Sequence, residues 1–317
     1  MPLVTDEPLL PTVAEVAAPE PPLHIPQGKP RRVGVRQYAL GWLSAGLNGC
    51  FGTRESHAFG ILMYHRIADA VPEHPRPTWN VPPDRFERQL KGLLARGWQA
   101  LPLREVLERA RRELPIPRKT FVVTFDDGYA NVLINAYPVL TKLHVPATVF
   151  VSTAYLDSKY PFPSDDWSAA GVPGVPTEAW RPLTSEECAR LAANGLVDLG
   201  AHTHTHADFR GRPEALGADL QENLAVLRER FGVESPAFAF PYGTTAEGFA
   251  GGDLAKAARS AGVTCALTSD GDLVRPGDDP FHWPRFAAEA HDTAATLAGK
   301  LGGWHAALRT AVRRGSR

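Results

Sequence analysis

Two short segments hold the side chains best suited to chemistry. At residues 124–128 the sequence reads Thr124-Phe125-Asp126-Asp127-Gly128, an apolar run that ends abruptly in two adjacent carboxylates and a glycine. Neighbouring carboxylates repel and raise each other's pKa unless a cation takes one of them. The pair suits a division of labour, with one carboxylate tied to a cation and the other left to accept a proton. The bland alternative is a solvated Asp-Asp-Gly turn. At residues 201–206, Ala201-His202-Thr203-His204-Thr205-His206 places three histidines close together. In a helical turn His202 and His206 share a face, and in an extended segment His204 joins them. Either way two imidazoles meet, and one carboxylate completes three ligands while leaving positions open for water and substrate. A divalent metal is therefore expected, zinc by default, with iron, cobalt or nickel also suited to two histidines and a carboxylate.

These segments need elements to position them. From about residue 58, short apolar or β-branched runs alternate with helical patterns, which predicts βαβ units and a parallel sheet. Candidate strands lie at 59–64, 120–125, 147–151, 196–200, 237–240 and 263–267, with weaker ones at 98–101 and 281–286. Between them, apolar residues at three- and four-residue spacing predict helices, as with Phe86, Leu90, Leu93 and Leu94, or Leu216, Leu220, Leu224 and Leu227. Pro83-Asp84 reads as a helix start, and Thr184-x-x-Glu187 reads as a capping box. Asp126-Asp127 end one strand, His202 follows another, Pro241-Tyr242-Gly243 end a third and Tyr64-His65-Arg66 end the first. All four addresses are carboxyl ends of parallel strands, where barrel folds assemble active sites.

Residues 152–182 break the alternation with Pro161, Pro163, Pro173 and Pro176, two tryptophans and Asp165-Asp166, and read as a long loop overhanging the same face. Trp167 or Trp180 is placed to stack on a sugar ring, or else to pin the loop to the barrel. The 34 Lys and Arg balance 35 Asp and Glu, giving no reason to expect nucleic acid as a partner. Cys50, Cys188 and Cys265 are few, odd in number and far apart, and read as free thiols. Residues 1–30 read as a disordered lead-in without the order of a cleavable signal, 31–57 as a helical segment, 58–300 as the main domain and 301–317 as a basic helical tail. The apolar run before Cys50 superficially mimics a lipoprotein signal, but is far below the roughly 20 residues a membrane span needs.

The motifs over roughly residues 61–286 resemble those of the polysaccharide deacetylases with the NodB-homology domain, carbohydrate esterase family four. The resemblance implies a distorted, seven-stranded (β/α) barrel of the α/β class. Thr124-Phe125-Asp126-Asp127-Gly128 is similar to the family's first motif, which implies Asp126 as catalytic base and Asp127 as metal ligand. His202-Thr203-x-x-His206 is similar to the second, whose outer histidines bind the metal. Phe240-Pro241-Tyr242-Gly243 resembles the third, implying substrate contact at Pro241 and Tyr242, with the Tyr242 amide in the oxyanion hole. The sequence departs from the pattern twice. No arginine begins the third motif, so Arg285 is the candidate to steer the base and meet the substrate. The late Leu-x-His carrying the acid is absent, and His65 resembles the permuted replacement found in the exopolysaccharide-associated branch. The implied reaction is removal of acetyl groups from a carbohydrate. The same ligand types also make the facial triad of non-haem iron oxygenases, which would leave Asp126-Asp127 without a role. A carbohydrate-binding protein without turnover and a hydrolase of small amides are the remaining rivals.

Overall fold

The structure is a computed structural model and describes residues 35–71, 74, 77–163, 165 and 174–315. The expected lead-in over 1–30 and Trp167 lie outside the described residues. The chain opens with helix α1 (Val35–Phe51) and strand β1 (Gly60–Tyr64). Helix α2 (Pro83–Leu94), the short strand β2 (Gln99–Ala100), helix α3 (Leu103–Arg111) and strand β3 (Thr120–Phe125) follow. Next come α4 (Tyr137–Leu143), β4 (Ala147–Val151), α5 (Ser185–Ala192) and β5 (Val197–Ala201). Helix α6 (Pro213–Phe231), β6 (Phe238–Ala239), α7 (Gly252–Ala261) and β7 (Ala266–Leu267) continue the alternation. Strand β8 (Phe286–Ala287) and helices α8 (Ala294–Leu301) and α9 (Trp304–Gly315) close the chain.

Seven parallel strands run in the order β7-β6-β5-β4-β3-β1-β8, with β2 paired to β3 outside this path. The path curls, and a parallel bridge between Leu267 and Trp283 links its two ends. This is the distorted seven-stranded α/β barrel expected from the sequence. The strands β1, β3 and β4 are buried along their whole length, as strands covered on both faces must be. Alternate residues divide between two cores. Leu62, Val123 and Val149 face the outer helices, while Ile61, Val122 and Phe150 join Leu103, Val106 and Leu107 of α3.

Local signals act where the sequence placed them. Pro83 opens α2, whose Phe86, Leu90 and Leu93 are buried. Thr184 and Glu187 form both halves of a capping box on α5. The strands expected at 237–240, 263–267 and 281–286 are two residues each, Phe238–Ala239, Ala266–Leu267 and Phe286–Ala287. Cys188 and Cys265 are buried and Cys50 exposed, all unpaired. No described helix is long and apolar enough to cross a membrane.

Candidate active site

The four strand-end segments open onto one cleft of about 530 Å3, lined by His65, Asp126, Asp127, His202, His206, Tyr242 and Arg285 among others. The sharpest sorting is between the two carboxylates. Asp126 continues β3, its amide donating to Tyr64 O (2.9 Å), and its side chain meets Arg285 in a fork: Nη1 to Oδ1 at 2.6 Å and Nη2 to Oδ2 at 2.8 Å. Arg285 is fully buried, and its Nε also donates to Thr268 O (3.1 Å). Burial alone would raise the Asp126 pKa, but Arg285, His202 and His65 outweigh it and hold the carboxyl below its ordinary value.

Asp127 turns the other way. Its Oδ1 lies 3.3 Å from Nε2 of both His202 and His206. Burial pushes this carboxyl up, yet the hydrogen bonds from the two imidazoles hold it well below the usual carboxylate range. Burial pushes His202 down, and Asp126 and Asp127 reverse that to a net rise. His202 Nδ1 sits 2.8 Å from Ala239 O, a contact in which Nδ1 donates, and it orients the ring so that Nε2 faces the same point as Asp127 Oδ1. One oxygen and two nitrogens, all within 4.8 Å of one another, form a donor set that fits a divalent cation.

The histidine segment is neither the helical turn nor the extended strand considered from sequence. Thr203 and His206 both adopt left-handed backbone, at φ 64° and 55°. His204 is thereby turned away, with Nδ1 2.9 Å from Thr153 Oγ1. Helix α6 fixes this shape. Asp219 accepts from the amides of His204 and Thr205 and from the Thr205 hydroxyl, and Asn223 Nδ2 donates to Val151 O (2.9 Å) and Thr203 O (2.7 Å). Asp127, Tyr242 and Trp79 are also left-handed, so backbone strain gathers around the cleft.

His65 completes the inner shell. Its Nε2 is 3.9 Å from Asp126 Oδ2, and its ring stacks on Trp79 with centroids 5.0 Å apart. Burial lowers its pKa, and the opposing pull of Asp127 and Asp126 does not restore it. Tyr242 packs edge-on against His206 at 5.0 Å and lines the cleft. Pro241 is buried and does not line it; its carbonyl accepts from Gly243 N (2.7 Å) in the turn behind Tyr242. Sequence reasoning missed Trp79, Arg210, Glu247 and Phe249, which line the same cleft from loops that carry no periodic signal. Asp165 of the long loop does reach in, pairing with Arg66 and accepting from Tyr129 OH (2.7 Å).

The sequence profile of the family described as polysaccharide deacetylase matches residues 114–266, a span that contains Asp126, Asp127, His202, His206 and Tyr242. Over this span, just under half of its length, the chain is similar to the polysaccharide deacetylase family. Relatives and solved structures that it resembles are named as deacetylases. Among its relatives is the poly-beta-1,6-N-acetyl-D-glucosamine N-deacetylase of Staphylococcus epidermidis, 24% identical over 262 residues, covering 77% of this chain and 83% of that one. The YxkH protein of Bacillus subtilis, whose name as a polysaccharide deacetylase is itself provisional, is 25% identical over 211 residues, covering 66% of this chain and 64% of that one. The solved structure of IcaB from Ammonifex degensii superposes with a TM-score of 0.64 at 24% identity, covering 79% of this chain and 98% of that one, a likeness of fold.

Proposed function

We propose that this protein is a polysaccharide deacetylase that removes N-acetyl groups from a polymer of N-acetylated amino sugars, with a divalent metal, most simply zinc, held by Asp127, His202 and His206. The observation that carries the reading is the opposite partnering of the two adjacent carboxylates: Asp127 on two imidazoles, Asp126 on Arg285. A metal bound there supplies Lewis acidity to the acetyl carbonyl and acidity to water. Every remaining task falls to side chains of the chain itself. Asp126, kept ionised by Arg285, takes a proton from the attacking water. The Tyr242 amide donates to the oxyanion as the carbonyl carbon becomes tetrahedral. His65 starts neutral, because burial lowers its pKa. It accepts the proton from Asp126, 3.9 Å away, and passes it to the leaving nitrogen, so that C–N cleavage yields acetate and the free amine. Trp79 holds the His65 ring by stacking, and Trp167 is assigned to the sugar chain.

The substrate class is supported by the Staphylococcus epidermidis relative, whose name specifies poly-beta-1,6-N-acetyl-D-glucosamine. Acetate release from N-acetylglucosamine oligomers and from acetylated xylan tests the proposal, comparing metal-loaded protein, chelated protein and Asp126→Ala. Release from the glucosamine oligomers by metal-loaded wild type alone is expected. Release from xylan alone would move the activity to O-acetyl esters, and none from either would sink the proposal.

A further inference from the structure

Helix α1 presents an outward face with nothing to keep it in water. Tyr38, Ala39, Trp42, Leu43, Cys50 and Phe51 are all exposed, Trp42 by 59% and Phe51 by 72%. From Tyr38 to Phe51 the sequence holds no charged residue at all. Surface helices ordinarily set charged or polar residues on the side opposite their apolar stripe. Here the opposite side is already used. Gly41 lies against Thr296 of α8, Ser44 is buried, and a Cβ on Gly299 would fall 2.6 Å from Ser44 Oγ. The helix is therefore seated rigidly on the barrel and turns a second apolar side outward.

The charge around this face is segregated. The whole chain is balanced at 34 bases against 35 acids, yet no acid occurs between Glu20 and Glu55, where Lys29, Arg31, Arg32, Arg36 and Arg54 lie. None occurs after Asp292 either, where, besides the buried Lys300, Arg309, Arg313, Arg314 and Arg317 lie. Helix α9 packs beside the end of α1: Phe51 and Trp304 rings sit 6.0 Å apart, and Trp304 Nε1 donates to Gly52 O (2.8 Å). Tyr38, at the other end of α1, touches His291 just beyond the carboxyl end of β8, so the helix starts at the catalytic end of the barrel.

We propose that the α1 face docks on an anionic phospholipid bilayer, with Trp42, Leu43 and Phe51 entering the headgroup region and the flanking bases meeting lipid phosphates. Trp, Phe and Leu on one side with Lys and Arg around them is the composition of a helix that lies in a membrane interface rather than crossing it. A second copy of the chain is the poorer occupant, since face-to-face pairing would bring like-charged segments together. Docking along α1 places the cleft mouth beside the bilayer, within reach of polymer held at that surface.

The test is co-sedimentation of the full chain with phosphatidylcholine vesicles with and without about 30% phosphatidylglycerol, alongside light scattering in solution. Binding to the anionic vesicles about tenfold or more tighter than to neutral ones is expected, weakening with salt. Trp42→Glu with Leu43→Glu should abolish it while acetate release from soluble oligomers and the melting temperature stay unchanged. Arg313→Glu with Arg314→Glu should reduce it several-fold. Failure to sediment with anionic vesicles, or equal sedimentation of the Trp42→Glu/Leu43→Glu protein, overturns the proposal. So does a solution dimer that this double substitution converts to monomer, which would give the face to a second copy.

Discussion

Asp126 and Asp127 are chemically identical and adjacent, and their roles diverge only through what their side chains reach. The Arg285 fork keeps Asp126 ionised and outside the donor cluster of Asp127, His202 and His206. Replacing Arg285 by Met removes the charge that opposes burial, so the Asp126 pKa rises. Because the proposed base acts only when ionised, the acid limb of the kcat/KM profile should move to higher pH by at least about one unit. Breaking a buried pair in this way should also lower unfolding free energy by roughly 3–5 kcal/mol, read from urea melts. At the metal, dialysis against a chelator should abolish acetate release, and adding back zinc, cobalt, nickel or iron should rank the metals by recovered rate. His206→Gln should retain the fold yet recover little activity at any metal concentration that saturates wild type.

At the scale of elements, the histidine segment is shaped by a helix that contributes no ligand. Asp219 and Asn223, one turn apart on α6, hold the left-handed corner at Thr203 that points His202 and His206 to one spot. Asp219→Ala should therefore weaken metal affinity by roughly 10–100-fold, as loss of outer partners commonly does, with Asp219→Asn losing less. Competition against a chromophoric chelator measures it, and an unchanged affinity would mean the corner holds without α6. The same dependence explains what was legible in the sequence. The strand ends were, because apolar runs that stop at Asp126, His65 and Tyr242 mark an address by pattern alone. Arg285 was legible only through the family resemblance, which lacks its usual arginine here and leaves this one as the candidate, and the structure brings it onto Asp126. The turning away of His204 was not legible, since it is decided by bonds to residues 15 positions and more away. Trp79, Arg210 and Phe249 stayed hidden because loop side chains reach the cleft through tertiary contact, as in the Arg210 guanidinium 4.2 Å over the Phe249 ring.

For the molecule as a whole, the question is what holds the short final strand against the first. Strand β8 pairs with β1 over only two registers, Leu62 with Phe286 and Met63 with Ala287. Beyond it a polar knot takes over. Gln89 of α2 donates to Glu289 O and Asp292 O (both 2.9 Å), and buried Asp292 accepts from Lys300 Nζ (2.6 Å) and Glu289 N (3.0 Å). Burial would raise the Asp292 pKa, but Lys300 and the Glu289 amide outweigh it and depress the carboxyl below its ordinary value of 3.8. A depressed carboxyl adds stability that is fully present above the unfolded pKa and is lost as pH falls through the folded value. Wild type should thus hold its urea midpoint from neutrality down to about pH 4 as far as this group is concerned, then lose stability below it. Asp292→Asn should start lower by roughly 3 kcal/mol at neutral pH, with Lys300 left buried beside a neutral amide, and the gap to wild type should narrow as the medium is acidified below pH 4. Parallel melts at several pH values decide it: a gap that stays constant would mean Asp292 secures the final strand by its hydrogen bonds alone, with its charge irrelevant.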